Sequence, residues 1–217
     1  ISWQRDVLRA CPAIFAVSKW LQRWLVEEVG CKNVHWLPNG SSEKVGNPER
    51  GRAILGVTSS KPIIGFVGSL RSWQGAHRIP SIARRLEAVS VCIGQGQSIG
   101  TDIQFPIYDE QKLADVISSF SVAVAPYTAQ APPWLCPLKL LQYRAQGVPI
   151  VSSDVGDAAW IVEQSGSVVP ADDDNHLIAA IEYWMRLSGH KKLRSWGQVS
   201  RELISYVHEW AKTGYRI

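Results

Sequence analysis

The feature that most constrains this chain is an alternation, from residue 62 onward, of short apolar segments with amphipathic ones. The apolar segments are bounded by Gly and Pro, which is typical of strands buried on both faces. The segments between them carry apolar residues at helical spacing. The series predicts a doubly wound α/β domain, in which helices cover both faces of a parallel sheet. The predicted strands are PIIGFVGS, VSVCIG, QFPIY, SVAVAPY, VPIVSSD and SVVP, and the predicted helices lie near residues 76–86, 112–117, 137–147, 158–164 and 174–185.

The beginning of the chain has a smaller pattern of its own. A buried strand, a helix that Ser18 is placed to cap and Gly30 to end, and a second strand predict one βαβ unit over residues 13–40. Residues 41–61 are rich in Ser, Gly, Pro, Glu and Arg, which indicates a connector with one short helical piece. We therefore expect a domain boundary near residue 45.

Composition excludes several classes of protein. The 217 residues are 46% hydrophobic and 19% charged, which excludes a mainly disordered chain. No apolar run approaches the roughly 20 residues that span a bilayer, and the charged start ISWQRDVLRACP does not fit a signal peptide. We expect a cytoplasmic address. The cysteines are too widely spaced for a metal knuckle or a disulfide scaffold and are predicted to be buried thiols: Cys11, Cys31, Cys92 and Cys136.

The net charge of +4 is concentrated at the end of the chain. Residues 186–217 contain seven Lys or Arg residues and two acidic ones. This segment fits either a solvated helical face or contact with an anionic membrane surface or acidic partner, so a peripheral membrane location stays open. Nucleic acid is not an expected partner, because no zinc-finger spacing or RNP-like motif accompanies the charge. No metal site is expected either, since the histidines lack ligand spacing and residues 172–174 are placed to cap a helix.

Two turns and one helix start could form a ligand site at the carboxyl ends of the predicted strands, where doubly wound sheets bind their ligands. Gly68 closes one strand, and Gly94 and Gly96 follow another in the string IGQGQ. A glycine here fits a tight turn as well as a binding loop. Pro137 stands at a predicted first helical position, which would direct the free N–H groups of that helix at the same crevice. The pattern predicts a phosphate site that needs no metal.

The order of several strings resembles a known family. AVSKWL, WLPNG, FVGSLRSWQG, IGQG, PLKLLQY with AQGVPIVSSDVG, and SVVPADDDNHLIAAI follow one another as in the carboxyl-terminal portion of GT-B fold glycosyltransferases of the GT4 class. The resemblance runs from about residue 13 to about residue 211. It implies metal-independent transfer of a sugar, with retention of configuration, from a nucleotide-diphosphate donor bound by the second of two domains. No cofactor beyond that donor substrate is implied.

The resemblance also implies a domain organisation. Residues 1–45 resemble the last βαβ unit of an amino-terminal acceptor domain that is otherwise missing. Residues 46–205 resemble the nucleotide-sugar-binding domain, and residues 206–217 the terminal helix that crosses back to the first domain. The start at Ile1 and the single methionine, Met185, agree with an expectation that the chain is the back portion of a longer protein.

Carried over by position, the resemblance places Gly68 and its turn against the diphosphate and the loop with Gly94 and Gly96 beside the nucleotide. The amides of the helix that starts near Leu138 would stabilise the departing nucleotide diphosphate.

Four positions depart from the family pattern. Ser69 and Gln74 stand where the family commonly has an Arg and a Lys that neutralise donor phosphates, and Arg71 is a candidate for the replacement charge. Trp134 and Gln142 stand where the family has two glutamates, the first beside the sugar and the second accepting hydrogen bonds from the ribose. A glutamine oxygen can still accept such a bond, whereas an indole offers only an N–H and a stacking face.

Two functions therefore remain open. The first is the donor-binding half of a glycosyltransferase, inactive without its acceptor domain. The second is a noncatalytic module of the same fold, which binds or scaffolds a partner. The absent carboxylates favour the module, and the retained glycines and helix start favour the enzyme.

Overall fold

A computed structural model describes residues 2–187, 189 and 193–212. Helices and strands alternate along almost its whole length. The helices are α1 Ser2–Ala10, α2 Lys19–Trp24, α3 Pro48–Leu55, α4 Ile79–Arg85, α5 Glu110–Ser118, α6 Leu138–Gln146, α7 Ala158–Val162, α8 Asp174–Trp184 and α9 Trp196–Lys212. The strands are β1 Ile14–Ala16, β2 Val34–Trp36, β3 Ile63–Val67, β4 Val89–Ile93, β5 Ile103–Phe105, β6 Val122–Ala125, β7 Ile150–Ser153 and β8 Gly166–Val169.

Six of the strands form one parallel sheet in the order β5-β4-β3-β6-β7-β8. The predicted doubly wound sheet is confirmed. Numbered within the sheet, this is the order 3-2-1-4-5-6 of dinucleotide-binding domains. The first three strands are added toward one edge of the sheet and the last three toward the other, so the order reverses between the two central strands. Here the reversal lies between β3 and β6. Their carboxyl ends open the crevice where a sheet of this kind binds its ligand.

The sheet is buried on both faces because side chains alternate along each strand. Ile63 of β3 belongs to the core beneath α3, α5, α6 and α7, whereas Ile64 and Phe66 belong to the core beneath α4 and α8. Between them, Gly65 leaves room for the ring of Phe120, with which any added Cβ would collide. This close contact holds the central strand against the first core.

Several helix ends follow local signals in the sequence. Asp173 caps α8 by accepting a hydrogen bond from the His176 N–H at 3.0 Å, which confirms the predicted capping role of the aspartate run. Gly30 ends the π-helical turn after α2 in a left-handed conformation, as predicted. Pro137 differs from the prediction by one position, since it precedes the first helical residue of α6 instead of occupying it.

The first 40 residues form the predicted βαβ unit, in which β1 and β2 pair in parallel. A small core beneath α2 contains Ala16, Leu25 and Val29. Sequence reasoning missed α1, which packs Leu8 against this core and donates a hydrogen bond from Arg9 Nε to the Val29 carbonyl at 2.6 Å. Strong helix formers at most of its positions were the available signal.

The βαβ unit touches the larger sheet domain at several points. The Lys19 N–H donates to the Asp157 carboxylate at 3.2 Å, and the rings of Trp36 and Trp160 meet edge to face with centroids 4.9 Å apart. The division into residues 1–45, 46–205 and 206–217 stays a prediction. The final helix begins ten residues before the predicted crossing helix, at Trp196, so the predicted boundary after residue 205 lies inside a continuous helix.

The structure also bears on the cysteines and on the search for a membrane-spanning helix. Three of the cysteines are buried, but Cys11 is exposed and its thiol donates to the Val7 carbonyl, so the prediction of four buried thiols is wrong there. Its place at the exposed end of α1 explains the difference. Within the described residues, no helix combines the length and the apolar character that crossing a bilayer requires.

Candidate functional site

The turns after β3, β4 and β6 meet at the carboxyl edge of the sheet. The Gly68 N–H donates to the Ile93 carbonyl at 2.9 Å, and the Leu70 N–H donates to the Gln95 carbonyl at 3.3 Å. On the other side, the Thr128 N–H donates to the Trp73 carbonyl at 3.0 Å. These bonds hold the β3 turn between its two neighbours.

Packing between these turns explains two of the three glycines. A Cβ at Gly94 would overlap the carbonyl oxygen of Gly68, and a Cβ at Gly96 would lie 2.7 Å from that of Leu70. Both positions therefore require glycine with or without a ligand. Gly68 has a positive φ of +140°, as Gly96 has (+150°), but an added Cβ at Gly68 would lie 2.8 Å from Nζ of Lys139. Of these three glycines, Gly68 is therefore the one that lies against a charged side chain.

Helix α6 is positioned by a bond to the end of β3. The Val67 N–H donates to the hydroxyl of the buried Tyr143 at 2.8 Å. Pro137 provides no side-chain cap for the helix. The N–H groups of the first turn and the positive end of the helix dipole therefore face the switch point without a capping side chain.

A cluster of polar side chains lies at the switch point between β3 and β6. Gln74 is 7% exposed, and its Nε2 donates to Oγ of Ser69 at 2.9 Å. Its Oε1 accepts a hydrogen bond from Nζ of Lys139, on the first turn of α6. Three of the predicted site residues, Gly68, Ser69 and Gln74, are thus brought together with Lys139.

The environment of Lys139 is mostly apolar. Its Nζ lies 3.8 Å from the ring centroid of Phe66 and 5.4 Å from that of Tyr127. Burial lowers the pKa of this amine to about 7, and Cys92 has a smaller, opposing effect. Burial also raises the pKa of the Cys92 thiol to about 11, so the thiol is neutral at pH 7.

Sequence reasoning missed Lys139. The available signal was its position in PLKLLQY: the lysine lies in the first turn of the predicted helix, within one residue of the amides predicted to face an anion. Arg71, the predicted replacement charge, is exposed, and the structure records no ion pair or hydrogen bond of its guanidinium within the described part of the chain.

Gln142 and Leu138 belong to a second group on the neighbouring face of α6. Both line a cavity of about 110 Å³ between α5 and α6, which also contacts Glu110 and Ser42. The Ser42 hydroxyl donates to Oε2 of Glu110 at 2.9 Å, whereas the amide of Gln142 has no hydrogen-bond partner among the described residues. Gln142 is therefore free to bond a ligand.

Trp134 lies apart from both groups. It is 50% exposed, and its ring centroid is 5.7 Å from that of Trp20, which in turn stacks on Trp24 at 6.4 Å. The residue that stands in place of the first family glutamate thus joins an aromatic surface shared with α2. Tyr127 is 2% exposed and packs in the core. Across the described ranges, no group of three or more His, Cys, Asp or Glu residues could hold a metal ion.

The sheet order and the crevice at its switch point define a Rossmann-like domain of the type found at the carboxyl end of GT-B glycosyltransferases. The family model for glycosyl transferases group 1 matches residues 61–186, more than half of the chain. The chain belongs to this family. A comparison with curated proteins gives no match.

Solved structures similar to this chain have the same fold. Sucrose-phosphate synthase from Thermosynechococcus elongatus is 19% identical with a TM-score of 0.76, covering 97% of this chain and 61% of that one. HepE of Anabaena in complex with UDP is 14% identical with a TM-score of 0.69, covering 94% and 65%. WaaG, a glycosyltransferase involved in lipopolysaccharide biosynthesis, is 14% identical with a TM-score of 0.68, covering 98% and 62%. The chain spans less than two thirds of each.

Proposed function

We propose that this chain is the donor-binding half of a retaining, metal-independent glycosyltransferase of the GT4 class, with a nucleotide-diphosphate sugar as its substrate. The observation that carries the proposal is the convergence of the uncapped start of α6, the space at Gly68 and the Lys139 ammonium at the switch point. The helix start and the ammonium attract an anion, and Gly68 has no side chain to block one, at the position where doubly wound domains bind nucleotides.

The proposed chemistry depends on the leaving group. When the glycosyl bond breaks, negative charge grows on the nucleotide diphosphate. Amides near Leu138 at the start of α6 would stabilise that charge and lower the barrier. The retention of configuration and the absence of a metal requirement are carried by the resemblance to the GT4 class.

The nucleoside would occupy the side of the crevice lined by Gln142 and Leu138. The amide of Gln142 has no hydrogen-bond partner among the described residues and stands at the position that faces the ribose in the family. HepE of Anabaena was solved in complexes with UDP and with UDP-glucose, which makes uridine donors the first probes to use.

The acceptor side would come from elsewhere in the protein. Residues 1–45 are proposed as the last part of an amino-terminal acceptor domain, because the structural relatives extend well beyond the length of this chain. We therefore expect the chain alone to bind a donor without transferring its sugar.

A noncatalytic binding module is the second candidate. Two observations favour it: Trp134 packs against Trp20 where the family has a carboxylate, and the packing of the turns by itself requires Gly94 and Gly96. Such a module would keep the fold without a donor.

Calorimetric titration separates the two candidates. UDP-glucose, GDP-glucose and ADP-glucose are titrated into the purified chain, each with its nucleoside as the matched control. The donor-binding proposal predicts that one nucleotide sugar binds with a Kd below about 1 mM and that its nucleoside binds at least about tenfold more weakly, because it lacks the diphosphate. Failure of all three to bind would favour the module.

A further inference from the structure

We propose that Lys139 binds the diphosphate of the donor, replacing the phosphate-binding cations absent from the β3 turn, and that donor binding is coupled to proton uptake by its amine. This inference rests on the proposed function and names the group that would recognise the diphosphate. It also assigns Gln74 as a positioning residue.

The position of the ammonium is the first argument. Nζ of Lys139 lies 2.8 Å from the place that a Cβ of residue 68 would occupy. A side chain at residue 68 would therefore collide with the ammonium. With glycine there, the amine lies directly against the backbone of the β3 turn, which the family uses to bind the diphosphate.

Hydrogen bonds fix the orientation of the Gln74 amide, with its oxygen toward Lys139. Its Nε2 donates to Ser69, which leaves Oε1 to accept from Nζ of Lys139. Ser69 and Gln74 occupy the positions that carry Arg and Lys in the family, and here both are neutral. The cation therefore reaches the turn from α6, and the two neutral residues orient it.

The amine of Lys139 has no acidic counter-ion among the described residues. Across the part of the chain that the structure describes, no Asp or Glu oxygen lies within 4.0 Å of Nζ. The titratable groups that face it are Cys92 on β4, Tyr127 after β6 and Tyr143 on α6, and burial raises the pKa of each. All three are neutral near pH 7, so they supply no negative charge to offset a positive charge on the amine, and an anion from outside would supply it.

Proton uptake follows from this arrangement. Burial lowers the pKa of the Lys139 amine to about 7, so a large fraction of the free protein carries a neutral amine at neutral pH. A diphosphate beside the amine favours the charged form and raises that pKa. Binding therefore takes up a proton, and affinity falls as pH rises above 7.

The experiment uses the tightest-binding of the three nucleotide sugars above. In these compounds both phosphates are diesterified, so neither titrates near pH 7 and a pH dependence must come from the protein. Binding is measured from pH 6 to pH 8.5 in two buffers with different ionisation enthalpies. We expect affinity to fall by up to about tenfold per pH unit above 7 and the apparent enthalpy to differ between buffers.

Three variants test the assignment. Lys139→Met should weaken nucleotide-sugar binding about ten- to hundredfold, remove the buffer dependence and leave nucleoside binding unchanged. Lys112→Met, at an exposed lysine of α5, is the matched control and should bind as the wild type does. Gln74→Glu gives Lys139 an internal counter-ion, so it should weaken donor binding and abolish the fall above pH 7 even if the Lys139→Met protein does not fold.

The outcomes are distinguishable. If the wild-type chain binds no nucleotide sugar, the proposed function and this inference both fail. If it binds one but Lys139→Met binds equally well, or if no variant alters the pH profile, only the role of Lys139 is overturned. An equal loss of nucleoside and nucleotide-sugar binding in Lys139→Met would indicate a structural role and would also contradict the proposal.

Discussion

At the scale of single residues, the candidate site has neutral side chains where the family has charged ones, and a lysine from another element lies beside them. The β3 turn has neutral Ser69 and Gln74, while a lysine enters from the first turn of α6. Gln142 is neutral as well, and its amide lines a cavity without a partner among the described residues. The chemical character of the candidate site would therefore depend on two neighbouring faces of one helix.

Gln142→Glu should tighten the binding of UDP. A charged acceptor contributes about 1.5–3 kcal/mol to a hydrogen bond and a neutral one about 0.5–1.5 kcal/mol, so the gain to a ribose hydroxyl is about 1 kcal/mol, or roughly fivefold in Kd. Glu110 lines the same cavity, and its repulsion would reduce this gain. Calorimetric titration with UDP and GDP measures the effect.

The matched control is Gln146→Glu, which adds the same charge to the same cavity one turn further along α6. Gln146 already accepts from the Gly46 N–H at 2.8 Å and donates to the Lys44 carbonyl at 2.8 Å, so it has no free acceptor for a ribose. It should give no gain. Unchanged or weaker UDP binding by Gln142→Glu would rule out the proposed ribose contact.

At the scale of elements, the packing of α3 against α5 depends on one buried carboxylate. The side chain of Asp115 is 5% exposed. It accepts two hydrogen bonds from Arg50, at 2.9 and 3.0 Å, and one from the Asn47 N–H at 2.8 Å. The hydrogen bonds from Arg50, followed by those from Asn47 and Gln111, lower the pKa of this carboxyl. The ion pair joins the connector helix to the sheet domain.

Asp115→Asn should destabilise the chain by about 1–3 kcal/mol at pH 7, because Arg50 and the Asn47 N–H lose a buried, charged acceptor. A lowered folded-state pKa stabilises the protein fully above the ordinary pKa of about 3.9, and the effect disappears as pH falls through the lowered value. The difference between wild type and variant should therefore shrink at pH 3.

Urea unfolding at pH 7 and pH 3 measures this difference. Asp6→Asn is the control, because the Asp6–Arg9 pair on α1 is exposed, and its effect should stay within about 0.5 kcal/mol. A destabilisation by Asp115→Asn that is equal at the two pH values would show that the carboxylate charge is not the cause.

At the scale of the whole molecule, the basic end of the chain is partly neutralised. Arg186 pairs with Glu182 at 3.2 Å, and Arg194 pairs with Glu202 at 2.7 Å. The described helix α9 contains two basic and two acidic residues. The remaining basic residues of the segment, Lys191, Lys192 and Arg216, lie outside the described residues. The ion pairs favour the solvated interpretation of this segment over contact with a membrane.

We therefore expect the chain to bind neither neutral vesicles nor vesicles that contain acidic lipid. Co-sedimentation at low and high salt measures this, since any attraction to an anionic surface is strongest at low salt. Binding confined to acidic vesicles and lost as salt rises would contradict the expectation and support an anionic membrane surface as a partner.

The sequence by itself determined the local elements and the class of fold. Strand burial, helix periodicity and end signals such as Gly30 and Asp173 depend on residues close together in the chain, so they are visible in a single sequence. Helix α1 carries apolar residues at helical spacing, Trp3, Val7 and Leu8, so its signal was present in the sequence although it was missed. The crossing helix is predicted from residue 206, whereas α9 begins at Trp196, and none of the described residues of α9 is buried.

Only the tertiary structure decided how the site is composed. Gln74 and Lys139 are 65 residues apart, and they meet because the strand order places β3 beside β6, directly before α6. No pattern among neighbouring residues in the sequence shows that these two side chains are in contact. The sequence alone pointed to Arg71 as the replacement cation, and that assignment stays a prediction. The fold leaves Arg71 exposed and places Lys139 beside Gly68. A contact between distant segments depends on sheet topology, and sheet topology depends on the packing of the whole core.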